Sequence, residues 1–398
     1  RPRLTPPTTA DCQPRYEVPD IFRNFMSQLE AMPRSWSKVV NSMVACRTAV
    51  LGGHKLECDH CDIEEYSYNS CRNRHCPKCQ FLTKERWIQD RENDLLPVRY
   101  FHVVFTIPHE LVPLIFCHDK NKQIGFDILF RAASETLKEV ARTRLKAEIG
   151  FTAVLHTWTQ TLLKHPHIHM IVPGGGLSLD GERWIQTRPN FFLPLKILSQ
   201  VFRGKFLEYF EKAFSEFQFP ESMARYASPD EFKMLLIDAA RKDFVVYAKS
   251  PFAGPKQVIK YLGQYTHRIA ISNHRIENVT ADGQVTFRYR DSKNNNQTAH
   301  MTITALEFMR RFLGHVLPDG YCRIRHFGFL ASRAKSEKLK LARKLLNAKV
   351  IEPVKDESWQ VLMKRLTGHD VNRCPHCRVG TLVRVAVLLP KRARRDTS

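Results

Sequence analysis

Three groups of residues in this chain have types and spacings that could do chemistry. The first is His165-Pro-His167-Ile-His169-Met-Ile-Val-Pro173, followed by Gly174, Gly175 and Gly176. Ile168, Met170 and Val172 alternate with His167, His169 and Ile171, a period of two that predicts a β-strand. Side chains at i and i+2 share a strand face, so His167 and His169 point together while Ile168 and Met170 point away. Two imidazoles side by side on a rigid strand are half of a metal site. The same pattern also describes two histidines on a solvated sheet face. A third ligand and a reacting group elsewhere must decide between the two.

The second group is Cys46, His54, Cys58, Cys61, Cys71, His75, Cys76 and Cys79. Cys58–Cys61 and Cys76–Cys79 are CxxC knuckles separated by 14 residues. That is close to a four-thiolate zinc ribbon, in which each turn aims two thiolates at one tetrahedral ion. Cys46, His54, Cys71 and His75 have the number and type for a second, interleaved site. The alternative is two buried thiols and two histidines that contact DNA. One or two Zn²⁺ ions are therefore expected. Arg72, Arg74, Lys78, Lys84 and Arg86 lie among or just after these ligands and suit phosphate contacts, although a purely structural zinc clip would carry the same cysteines. Further on, Cys374-Pro-His-Cys377 is half of a knuckle with no evident mate. A relic, a redox-silent pair, or a site completed by His369 or His376 are the readings open to it.

The third group is Tyr261 and Tyr265, within Lys256-Gln-Val-Ile-Lys260-Tyr-Leu-Gly-Gln-Tyr-Thr-His267-Arg268. Four residues apart on a helix, their phenols share one face, one turn apart. Most such pairs are packing. Here Lys256, Lys260, His267 and Arg268 surround them, which favours a functional reading.

The elements that must position these groups follow from periodicity. Residues 1–17 read as an arm, and 20–43 as two helices broken near Pro33. Tyr100–Ile107, Phe151–Trp158 and Asp243–Ala248 read as strands, and a short turn near Lys164 joins the second of these to the His-x-His strand. Asn121 to about Lys146, 191–217, the stretch from Gly254-Pro255 through about Tyr265, Ala305–Val316 and the basic segment Ala331–Asn347 read as helices. Residues 267–304 alternate and turn like a β-meander.

With 398 residues and 43% hydrophobic content the chain can bury a substantial core and divide into domains. Lys and Arg outnumber Asp and Glu 62 to 40, a net charge of +22 that points to a polyanionic partner, most simply nucleic acid. Five of the 11 cysteines fall between Cys58 and Cys79, which suits metal ligation in a reducing compartment better than a disulfide framework. No apolar run approaches the roughly 20 residues that span a bilayer, so no membrane partner is expected.

The histidine strand, the tyrosine pair and the cysteine cluster together resemble the HUH endonucleases, and specifically the two-tyrosine rolling-circle transposases of bacterial insertion sequences. Four phrases carry the resemblance: Cys46-Arg-Thr-Ala-Val-Leu-Gly-Gly-His54, Cys71-Arg-Asn-Arg-His-Cys-Pro-Lys-Cys-Gln80, His165-Pro-His-Ile-His-Met-Ile-Val-Pro-Gly-Gly-Gly176 and Tyr261-Leu-Gly-Gln-Tyr-Thr-His-Arg-Ile-Ala-Ile-Ser-Asn273. It spans Cys46 to about Arg333. It implies a tyrosine nuclease and strand transferase acting on single-stranded DNA, with a divalent ion held by the His-x-His strand.

The residues read alone agree with that chemistry. A phenol of pKa about 10 needs a nearby cation or base to act as a nucleophile near neutrality. An ion on His167 and His169 would polarise the scissile phosphate and stabilise the leaving 3′-oxygen. Attack leaves a 5′-phosphotyrosine and a free 3′-hydroxyl, so rejoining needs no ATP. For the third ligand the expectation is Gln160, seven residues before His167 on the adjacent strand of a tight hairpin. That position resembles the one where related replication initiators place a carboxylate. Gln264 and Gln257 are the alternatives. The resemblance implies Mg²⁺ or Mn²⁺, although two histidines alone suit softer ions.

The expected fold class is α+β: an HUH nuclease domain with a central antiparallel β-sheet flanked by helices, plus an N-terminal helical and zinc-ribbon domain. The expected divisions are 1–45 (arm and helices), 46–95 (zinc and DNA binding), 96–330 (nuclease, with a helical insertion about 190–240) and 331–398 (basic helical tail). The expected function is rolling-circle DNA transposition, with Tyr261 and Tyr265 catalytic and Arg72, Arg74, Lys78, Lys256, Lys260 and Arg268 on DNA. The partner is DNA, single-stranded at the element ends and at the target, in a bacterial cytoplasm. The alternatives are a plasmid replication initiator or relaxase, which shares the chemistry, and a zinc-dependent DNA-binding regulator with none.

Overall fold

Alternating and amphipathic stretches fold largely as their periodicity dictates. The computed structural model describes residues 14–30, 32–189, 192–249, 257, 263, 270–291, 294–348 and 357–391. In chain order, the first elements are α1 (Val18–Phe25), α2 (Arg34–Ala45), β1 (Gly53–Cys58), β2 (Glu64–Tyr68), α3 (Gln80–Glu92), β3 (Tyr100–Thr106), α4 (Val112–Phe116) and α5 (Asp119–Val140). There follow β4 (Ala147–Glu148), β5 (Gly150–Trp158), β6 (Lys164–Pro173), β7 (Gly175–Ser178), β8 (Trp184–Gln186), α6 (Leu195–Lys212), α7 (Pro229–Ala240) and β9 (Val246–Lys249). The last are β10 (Ile276–Val279), β11 (Gln284–Asp291), β12 (Gln297–Thr304), α8 (Ala305–Gly314), β13 (Ile324–Gly328), α9 (Lys335–Leu345), α10 (Trp359–Thr367) and β14 (Leu382–Leu388). No described helix is long and apolar enough to cross a membrane.

The chain divides into two compact units, one drawn from Trp87–Thr266 and Leu317–Pro353 and the other from Arg1–Arg86, His267–Val316 and Val354–Ser398. The first unit is built on a five-stranded antiparallel sheet in the order β13-β5-β6-β3-β9. One sheet face is apolar because every second residue is: Phe101, Val103, Phe105, Phe151, Ala153, Leu155, Ile168, Met170 and Val172 all enter one buried cluster. Helices α5, α6 and α7 cover that face with Phe126, Leu129, Phe130, Phe202, Phe206, Phe210 and Phe232. Phe202 is fully buried and meets Phe105, Phe206 and Phe244 edge-on. Truncation of such a ring leaves a cavity, so Phe202→Ala should cost about 3–5 kcal/mol, read as a shift in denaturant midpoint without a change in slope. The opposite face carries the histidines.

The second unit packs α1, α2 and α8 together, with Phe22 edge-on to Phe312 and the Val18 N–H bonded to Asn273 Oδ1 at 3.1 Å. It holds the expected meander, β10-β11-β12, and a three-stranded ribbon in the order β14-β1-β2. The ribbon corrects the contiguous partition read from the sequence. The segment after 331 is not only a basic helical tail: it ends in β14, which pairs antiparallel with β1 from Gly53↔Leu388 to Cys58↔Leu382. The meander, expected inside the nuclease domain, likewise groups with the N-terminal helices. Strand pairing across more than 300 residues leaves no trace in local periodicity.

Candidate metal centres

On the polar face of the five-stranded sheet, β5 and β6 form a hairpin in which His156 lies directly opposite His167. His156, His167 and His169 each offer a ring nitrogen, and these atoms all lie within 4.8 Å of one another. The third member is therefore His156, which the sequence reading missed. Gln160, expected on the adjacent strand, lies instead in the turn, exposed, after β5 has ended at Trp158. The hairpin is wider than a tight turn: residues 159–163 link the strands, with Leu162 in the left-handed region at φ +64°. Of the other candidates, Gln257 is helical and exposed, and Gln264 lies outside the described residues. If His156 completes the site, Gln160→Ala should leave divalent-ion affinity within about twofold of wild type, whereas a sharp loss would return Gln160 to the ligand set. Isothermal titration with Mn²⁺ measures it.

The contacts around the histidines set the tautomer of His167 and constrain that of His169. His167 Nδ1 donates to the His165 carbonyl at 2.7 Å, which leaves its Nε2 as a lone pair. His169 Nδ1 lies 2.8 Å from His102 Nε2 on β3; donation from His169 would free its Nε2 in the same way, whereas donation from His102 would leave the proton on His169 Nε2. The two Nε2 atoms face each other at 3.0 Å. That separation suits either one N–H···N hydrogen bond or two ligands about 2.1 Å from one ion at roughly 90° to each other. Desolvation pushes His167 and His102 down to about 4 and His169 well below its ordinary value. All three are thus neutral near pH 7, the form that ligates. His156 and His169 are buried and His167 half-buried, so the group meets solvent at His167. A bulge in β5 between His156 and Trp158 turns the strand beside this centre, and the Trp158 ring stacks on His156.

The cysteines assemble differently from the expected pairing. Cys46, Cys71, Cys76 and Cys79 form one group, and Cys58, Cys61, Cys374 and Cys377 another. The two internal knuckles do not share an ion site, because Cys58 and Cys61 sit at the end of β1, where β14 brings the C-terminal knuckle alongside. His54 lies on β1 and His75 in the loop ahead of Cys76, and neither belongs to a group. In the first group Cys79 Sγ is 3.4 Å from Cys46 Sγ and 3.6 Å from Cys71 Sγ. Thiolates about 2.3 Å from a tetrahedral zinc stand about 3.8 Å apart, so the group fits that ion. Arg47 and Arg72, directly after Cys46 and Cys71, take left-handed backbone at φ +57° and +52° to turn the chain around it.

Around this group Arg72 is exposed and Arg74 half-buried, while Lys78 forms an ion pair with Glu17. The expected nucleophiles Tyr261 and Tyr265, with Lys256, Lys260 and Arg268, lie outside the described residues. Between the tyrosines Gly263 is described: it is helical and buried, and a Cβ there would sit 2.3 Å from Ile88 Cδ1.

Three converging imidazoles on one sheet face and two four-cysteine groups define a mixed helix-and-sheet protein with clusters of residues that could hold metal ions. Comparison with known proteins gives the family. Residues 150–338 match a family model described as "Putative transposase", and residues 18–107 match the "Transposase zinc-binding domain". The chain is 44% identical over 382 residues to "Putative transposase y4qJ" of Sinorhizobium fredii, covering 93% of this chain and 95% of that protein. It is 26% identical over 343 residues to "Transposase for insertion sequence element IS801" of Pseudomonas savastanoi pv. phaseolicola, covering 85% and 81%. No solved structure matches. The chain belongs to this family of zinc-binding-domain transposases.

Proposed function

We propose that this transposase is an HUH-type tyrosine nuclease and strand transferase that moves DNA by a rolling-circle route through single-stranded intermediates. The observation that carries the reading is the convergence of His156, His167 and His169, with Nδ1 of two of them engaged so that their Nε2 atoms face one point. A rigid antiparallel sheet holds these donors in place before any substrate arrives. Three imidazoles with no carboxylate in the group suit a transition ion such as Mn²⁺ better than Mg²⁺. The bound ion would supply Lewis-acid polarisation of the scissile phosphate.

The protein's residues would do the rest. Tyr261 or Tyr265 attacks phosphorus, its phenol activated by the cations Lys256, Lys260 and Arg268. The 5′-phosphate is then bonded to the phenolic oxygen, and the 3′-hydroxyl leaves. The second tyrosine makes the second cut while the first holds its end, and a 3′-hydroxyl of new DNA resolves the link. Arg72, Arg74 and, on exchanging Glu17 for phosphate, Lys78 in the zinc module grip the phosphate backbone, three contacts whose loss between about 50 and 200 mM salt amounts to roughly one and a half decades of affinity. The protein acts on bacterial nucleoid or plasmid DNA in the cytoplasm.

The test is a covalent one. Protein incubated with single-stranded element-end oligonucleotide and Mn²⁺ should give an adduct that survives a denaturing gel. Cleavage of a plasmid origin in place of element ends would mark a replication initiator or relaxase. Absence of any adduct with DNA binding retained would mark a non-catalytic regulator.

A further inference from the structure

We propose that Cys58, Cys61, Cys374 and Cys377 hold a zinc ion that staples the C-terminal strand onto the N-terminal ribbon. This site is separate from the one at Cys46, Cys71, Cys76 and Cys79. It reaches beyond residues 18–107, which match the zinc-binding domain, and it is independent of the nuclease chemistry.

The geometry is that of two knuckles closing on one point. Cys58 Sγ lies 3.7 Å from Cys377 Sγ, and Cys61 Sγ lies 3.7 Å from Cys374 Sγ. Four thiolates about 2.3 Å from a tetrahedral zinc would stand about 3.8 Å apart. The two turns are built alike: Asp62 directly follows Cys61 and Arg378 directly follows Cys377, at φ +56° and +57°. Backbone amides point at sulfur, His60 N–H to Cys58 at 3.5 Å and Gly380 N–H to Cys377 at 3.3 Å, as thiolate acceptors favour.

The knuckles are also cross-linked around the sulfurs. Thr381 N–H donates to Asp59 Oδ1 at 2.7 Å and Asp59 N–H donates to the Thr381 carbonyl at 3.1 Å. A side chain at Gly380 would strike Cys58 Sγ at 2.6 Å, so the close approach requires glycine. His376, one of the ligands the sequence suggested, instead contacts Glu65 on β2 at 2.9 Å. β14 continues directly from this knuckle and buries little: Val383, Val385 and Val387 are exposed. An edge strand with so little apolar burial needs another hold, and a metal staple supplies it.

Zinc counted by atomic emission on full-length protein desalted free of loosely held metal tests the proposal. Wild type should retain two equivalents. Cys58→Ser/Cys61→Ser, Cys374→Ser/Cys377→Ser and the combination of all four should each retain one. Two equivalents in the Cys374/Cys377 variant, or none in the combined variant, would overturn the shared site. Cysteine alkylation of native wild-type protein needs no variant. Cys374 and Cys377 should stay protected while exposed Cys322 reacts, and should become reactive together with Cys58 and Cys61 when a strong chelator is added. Reaction of Cys374 and Cys377 at the rate of Cys322 would likewise remove the site. Hydrogen exchange of Leu382–Leu388 should accelerate at least tenfold in the Cys374/Cys377 variant, and unchanged protection would mean the ion does not staple the strand.

Discussion

Replacing Tyr261 and Tyr265 together by Phe is expected to abolish the covalent DNA adduct and to lower strand cleavage by about 10³-fold or more, that is, by about 4 kcal/mol of transition-state stabilisation. Each substitution removes one oxygen and keeps the ring, so folding and ion binding should be untouched. The single variants separate the roles. If the two phenols act in turn, each single variant keeps one cut and loses transfer, and the identity of the surviving adduct says which acts first. Residues that act as a unit are strongly non-additive, so the double variant need not equal the product of the singles. The measurement is a denaturing gel with end-labelled oligonucleotide, followed by peptide mapping of the adduct. An adduct of wild-type intensity in the double variant would transfer the nucleophile to another residue and leave the histidine centre without its assigned partner.

The second large effect falls on His156. Truncation to Ala removes one of three imidazoles and should weaken Mn²⁺ binding by about 10²-fold or more. That exceeds the roughly 10–100-fold carried by partners outside the ligand set. His102, which contacts His169 Nδ1 at 2.8 Å, belongs in that milder range, so His102→Ala should fall between His156→Ala and wild type. Titration calorimetry with Mn²⁺ gives the order directly, and cleavage at saturating Mn²⁺ should be partly restored in both. Equal affinities for His156→Ala and wild type would return the third ligand to the outcome the sequence suggested. The change is confined to the polar face of the sheet, whose stability rests on the apolar face that packs α5 and α6.

The sequence by itself determined everything whose physics is local. Alternation of Ile168, Met170 and Val172 with His167 and His169 settled which side chains share a face, because a strand has period two whatever surrounds it. The helical spacing of Phe202, Phe206 and Phe210 placed them all in the core in the same way. The charge of +22 and the knuckle spacings pointed to DNA and zinc from composition and covalent reach alone. Tertiary structure decided what depends on register and on remote pairing. His156 was out of reach of a simple count: a five-residue loop pairs Trp158 with Lys164 and would set His156 against Pro166, a tighter turn favours Gln160, and only the bulge between His156 and Trp158 shifts the register by one to bring His156 opposite His167. The loop length is set by how Thr159 caps the turn, its hydroxyl accepting from the Leu163 N–H at 3.0 Å, and no hydrophobic pattern reports that. The partition of eight cysteines lay further out of reach. Every CxxC turn has the same local geometry, so each can pair with any other. Only the docking of β14 on β1 brings Cys374 and Cys377, not Cys76 and Cys79, to Cys58 and Cys61.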